Sequence, residues 1–130
     1  MVDAAQVLLD YLQSQATLTA LTSTRIWAET NEPPPGYEPA DGAGICFKTR
    51  GGPGFDEEDA ILTPSFQFKV YGLPWPLSRA CYRELCNVLH SNRGAGILMG
   101  NLEAPGEILQ EPDTDWYFTL CFFTVNFINS

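Results

Sequence analysis

Trp116-Tyr-Phe-Thr-Leu-Cys-Phe-Phe-Thr-Val-Asn-Phe-Ile128 is the stretch that decides how this chain folds. A β-strand turns alternate side chains to opposite faces. One face then carries Tyr117, Thr119, Cys121, Phe123, Val125 and Phe127, the other Phe118, Leu120, Phe122, Thr124, Asn126 and Ile128. Both faces are apolar through the first half of the run, whereas a sheet wetted on one side would be polar there. The strand is therefore expected to be covered twice, by the chain's own helices and by something else. In a chain of 130 residues the second cover is read as another molecule. That reading points to an assembly component.

Working outward from this strand, Pro112-Asp-Thr-Asp115 reads as the turn of a hairpin. Before it, Ile97 to Met99 and Glu107 to Glu111 are weaker extended segments. Ser65-Phe-Gln-Phe-Lys-Val-Tyr71 alternates cleanly, with Phe66, Phe68 and Val70 on one side and Ser65, Gln67 and Lys69 on the other. Gly72-Leu-Pro-Trp-Pro76 breaks that strand ahead of a helix over about 77 to 90, whose stripe is Leu77, Ala80, Cys81, Leu85, Val88 and Leu89. Gly44 to Arg50 is another strand. Residues 3 to 21 follow helical spacing through Ala4, Val7, Leu8, Tyr11, Leu12, Gln15 and Leu18, with Asp3 as cap. Arg25 to Ala28 opens an extended piece, and Pro33-Pro-Pro-Gly36 forces a polyproline-like loop. Residues 51 to 64 read as a long loop, of a kind that often contacts partners. The expected fold is α+β: one domain over residues 1–130, a mixed and mainly antiparallel sheet with two helices packed on one face.

Sixteen acids against seven bases give a net charge of -9, which disfavours wrapping DNA or coating an anionic membrane. No run reaches the ~18 apolar residues of a membrane helix, and Met1-Val-Asp3 does not open a secretory signal. Cys46, Cys81, Cys86 and Cys121 show no CxxC or Cys/His spacing and read as core or near-core thiols in a reducing compartment.

Chemistry is sparse. Cys86 and His90, four apart on a helix, are the best nucleophile–base candidate. His90 is better explained as a residue of the last helical turn favouring the helix dipole. Asp56, Glu57, Glu58 and Asp59 lack the ligand spacing of a calcium loop and read as a solvated acidic segment able to dock a partner. Gly51-Gly-Pro-Gly54 lacks the Lys-Ser/Thr of a phosphate loop, and Gly94-Ala-Gly96 follows a helix rather than a strand. Glu103 and Glu107 lie in irregular sequence, so nothing fixes them as an acid–base pair. Lys48, Arg50 and Lys69 would share the sheet face away from the core if their strands are neighbours, either as a subunit contact or as a solvated face. Trp27 and Trp116 read as rim residues of a core, and Trp75, between two prolines, is left open. No catalytic residue, cofactor or metal is expected.

The element order resembles the tail terminator (tail completion) proteins of long-tailed bacteriophages and phage-like particles. The resemblance rests on the first helix followed by Arg25-Ile-Trp27 and the proline loop, on Ser65–Gly72 feeding the helix Ser78–Leu89, and on Pro112–Trp116 leading to the aromatic closing strand. It covers almost the whole chain and contains no invariant motif. It implies a structural, non-enzymatic subunit of a hexameric ring that caps the tail tube and presents a surface to the head connector. DNA would cross its lumen without specific binding. The expected location is the head-proximal end of the virion tail, and the host cytoplasm during assembly. Contacts would use strands 44–50, 65–71 and 117–128 and loops 29–43 and 51–64. Phe118, Leu120 and Phe122 are the residues expected to be buried between subunits or sheets. Two alternatives stay open: another connector or tube component, and a small enzyme or ligand-binding domain built on Cys86 and His90.

Overall fold

The computed structural model describes residues 3–50, 60–90 and 97–128. Asp56 to Asp59 and Gly94 to Gly96 lie outside them. Helices α1 (Ala4–Gln13), α2 (Ala16–Thr22) and α3 (Trp75–His90) accompany strands β1 (Ile26–Ala28), β2 (Gly44–Thr49), β3 (Ile61–Leu62), β4 (Ser65–Tyr71), β5 (Ile97–Gln110) and β6 (Tyr117–Ile128). The six strands form one sheet in which β1 runs parallel to β2 and every other pairing is antiparallel. Its order is β1-β2-β4-β6-β5. Phe127 pairs with both Leu62 and Ile97, so β3 and β5 flank β6 from opposite sides. The domain is α+β, as expected.

All the α-helices pack on one face of the sheet, where the alternating strands deliver their apolar sets. Ile45, Phe47, Phe66, Phe68, Val70, Cys121, Phe123, Val125 and Phe127 are buried there against Leu8, Leu12, Leu18, Cys81, Leu85 and Leu89. At about 25 cal/mol per Å² of apolar area removed from water, this layer is the main source of stability.

The helix count differs from expectation: among the described residues three α-helices cover the sheet, not two. The segment 3–21 breaks because Ser14 turns its hydroxyl back to the Tyr11 carbonyl (2.6 Å) and Gln15 goes extended (φ -87°, ψ 103°) as the cap of α2. Serine competes for the backbone bonds a helix needs, and here it wins. α3 starts at Trp75, earlier than 77, since Pro76 is tolerated in a first turn whose N–H groups lack intrahelical partners. The weak segments 97–99 and 107–111 belong to one 14-residue strand. As an edge strand, β5 accommodates bulges and Pro105, a residue without an N–H. A side chain on Gly106 would come within 2.6 Å of the Tyr82 ring and 2.7 Å of Thr119 Cγ2, so glycine is what lets α3 lie close to β5. β3 also occupies part of the stretch read as a loop to residue 64.

The hairpin at the end of the chain is present. The Glu111 N–H donates to the Trp116 carbonyl at 2.9 Å, and Asp115 takes a left-handed conformation (φ 59°) to close the turn.

Candidate functional site

The register assigns Phe118, Leu120, Phe122, Thr124 and Asn126 to the sheet face turned away from the helices. Opposite them stand Tyr71, Lys69, Gln67 and Ser65 of β4, and beyond those Cys46 and Lys48 of β2. Lys48 and Lys69 therefore share this outer face. Arg50, just past β2, joins them by laying its guanidinium 4.4 Å from the centre of the Phe122 ring.

The outer face divides into two halves. Toward the Tyr71 end it is sealed by the chain itself, in a cluster of Tyr37, Cys46, Tyr71 and Phe118 with Trp27, Leu109, Trp116 and Leu120 around it. Tyr37 is the keystone, its ring 5.1 Å from Trp27, 6.4 Å from Tyr71 and 5.9 Å from Trp116, edge-on in each case. It packs against Gly44, where any Cβ would meet the Trp27 ring and the Tyr37 phenol at about 3 Å. Its hydroxyl donates to the Gly42 carbonyl at 2.7 Å. Tyr71 donates to Glu111 at 2.6 Å. Burial raises the Tyr71 phenol well above its ordinary range, and the adjacent Glu111 carboxylate adds to that. Burial likewise pushes the Cys46 thiol up to about 12, against the pull of the Lys69 ammonium.

The other half is open. Phe122 and Leu120, the latter at the edge of the sealed cluster, are only partly buried, and Lys48, Arg50, Gln67 and Lys69 stand around them. Lys69 reaches over the Phe118 ring (5.2 Å). Long cationic side chains thus lay their stems on aromatic surface and keep their charges in water. Glu103 faces Arg50 at 3.7 Å and accepts the Ser65 hydroxyl at 2.6 Å. Of the second cover expected for the closing strand, the chain supplies one half.

Sequence reading did not anticipate Tyr37 as that cover. A single aromatic after a proline run has no periodicity to mark it. Beside Tyr37 the chain forms a cavity of about 410 Å³, lined by Pro33 to Pro35, Trp116, Glu32, Glu111 and Asp113 among others.

Cys86 and His90 are not assembled into a reactive pair. Cys86 is half-buried, and burial raises its thiol despite a hydrogen bond from Tyr82. That disfavours the thiolate a nucleophile needs. His90 is exposed in the last turn of α3. Among the described residues no group of three or more His, Cys, Asp or Glu could hold a metal ion. None of the described helices is long and apolar enough to cross a membrane.

No protein-family model matches the sequence, and no curated protein shows significant similarity to it. Among solved structures, the fold is similar to that of a chain in the virion of the native gene transfer agent (GTA) particle. The TM-score is 0.67 at 18% sequence identity, and the match covers 96% of this chain and 92% of that one. At that identity the likeness is one of fold.

Proposed function

We propose that this chain is a structural subunit of a phage-like particle, and within it the tail terminator: a ring of identical copies that caps the tail tube and joins it to the head connector. The observation that carries the reading is the half-open outer face of the sheet, where Leu120 and Phe122 stay partly exposed beside Lys48, Arg50 and Lys69. Apolar side chains rimmed by charge mark surfaces that other proteins cover. The whole-chain fold likeness to a component of a gene transfer agent virion supports the particle. The resemblance in element order supports the terminator role, and with it a hexameric ring. A net charge of -9 suits a lumen that DNA crosses without sticking. The acidic Asp56–Asp59 segment is assigned to docking the tube or the connector.

Purified protein added to polymerising tail tube protein tests this directly. The expected outcome is tubes of limited length with a ring of extra density at one end in electron micrographs, and a matching ring mass in native mass spectrometry. A chain that stays monomeric at high concentration and leaves tube ends bare sinks the terminator reading. Density along the tube wall instead would favour the tube-component alternative.

A further inference from the structure

We infer that the exposed corner at the start of α3 docks, through Trp75, into the proline-lined cavity of the next copy, a head-to-tail contact repeated around the ring. This rests on the ring reading above and gives it a specific joint.

The corner is Leu73-Pro-Trp-Pro76, with Leu73 42% and Trp75 49% exposed. Prolines on either side of the tryptophan fix the backbone, so little freedom remains to be lost on binding. The cavity lining has the chemistry an indole needs: Pro33, Pro34, Pro35 and Trp116 supply apolar surface, and Glu32 and Asp113 supply carboxylates able to accept its N–H. Among the described residues neither carboxylate has an ion-pair partner.

Position within the sheet is the second argument. α3 leaves the sheet just past Tyr71, and the cavity wall, Trp116, touches Tyr71 with rings 6.2 Å apart. Corner and cavity therefore sit at the same end of the sheet, the corner on its helix side and the cavity on its outer side. Two unlike patches make a heterologous contact, which builds a ring where the rotation between successive copies closes and a filament where it does not; patches at one level keep the step between copies along the axis small.

Charge supplies the third. Arg83 lies eight residues beyond Trp75, about 12 Å down α3 at 1.5 Å per residue. Glu107 pairs with Leu120 and so belongs to the outer face. It precedes Glu111 by four residues, about 13 Å down the sheet at 3.3 Å per residue. α3 runs away from the Tyr71 end and β5 runs toward it, so both displacements point the same way. Seating Trp75 in the cavity brings Arg83 of one copy level with Glu107 of the next. Both side chains are exposed, and neither has an ion-pair partner among the described residues.

The test is native mass spectrometry of the full chain across a concentration series, with circular dichroism to verify folding. Trp75→Ala should raise the concentration needed for assembly about tenfold or more, as loss of a central aromatic anchor does, and Trp75→Phe should raise it less. Arg83→Glu and Glu107→Arg should each weaken assembly, and together restore it. Trp75→Ala mixed with a cavity-blocking Asp113→Arg chain should give one-to-one dimers and nothing larger, since each partner keeps one working half. Trp75→Ala rings indistinguishable from those of the unmodified chain would overturn the contact while leaving the ring intact. So would a charge-swapped double variant weaker than either single one. An unmodified chain that never assembles would remove the ring and the contact together.

Discussion

Ser78 shows how much one buried polar atom matters. Its hydroxyl donates to the Val70 carbonyl at 2.7 Å and accepts from the Thr119 hydroxyl at 2.7 Å, pinning α3 to two strands. Ser78→Ala should lower unfolding free energy by about 1–3 kcal/mol, because two buried polar groups lose their partner. Adding Thr119→Val should cost less than the sum of the two single changes, as urea denaturation of the three variants would reveal. The cysteines give a second residue-scale prediction. Burial pushes the Cys46 and Cys81 thiols up to about 12 and moves Cys121 higher still. Between an ordinary 9.0 and that value the folded chain keeps protons the unfolded chain releases. Stability is therefore fully present below pH 9 and falls as pH rises through that window. Melting temperatures should decline from pH 9 upward. Iodoacetamide at pH 8 should label these three thiols only after unfolding, which a mass count of adducts would verify.

At the scale of elements, strands were legible where alternation was strict. β4 and β6 declare both of their faces in sequence, and the stripe of α3 marks its buried side. The failures share a cause: features set by partners distant in sequence. Residues 97–99 and 107–111 read as two weak segments rather than one strand because nothing local says that β5 sits at an edge, or that Tyr82 and Thr119 crowd position 106. Ser14 is an ordinary helix residue until its hydroxyl finds the Tyr11 carbonyl. Of the candidate site, the shared face of Lys48 and Lys69 was readable from strand phase once β2 and β4 were taken as neighbours. Its cover was not, since Tyr37 lies in a loop without a repeat. Tyr37→Ala should cost about 3 kcal/mol by opening a cavity among Trp27, Tyr71 and Trp116. Near-ultraviolet circular dichroism should lose intensity while the far-ultraviolet spectrum holds.

At the scale of the whole molecule, three of the seven basic residues stand on the open half of one sheet face while the chain carries a net charge of -9. Phe122→Asp places a carboxylate on that face without entering the core. The expected product is a soluble chain with a native melting profile that fails to form rings on size exclusion with light scattering. A variant that unfolds, or one that assembles normally, would count against the assignment of Leu120 and Phe122 to a subunit contact. The rims of the sheet carry a different consequence. One rim, β1, is three residues long, and the other, β5, breaks its ladder at several bulges and includes Pro105. Neither offers a straight row of amide donors and acceptors to template a newcomer. Among the described residues these rims therefore disfavour fibrillar, amyloid-type growth at high concentration, and contacts between copies are expected to run through side chains.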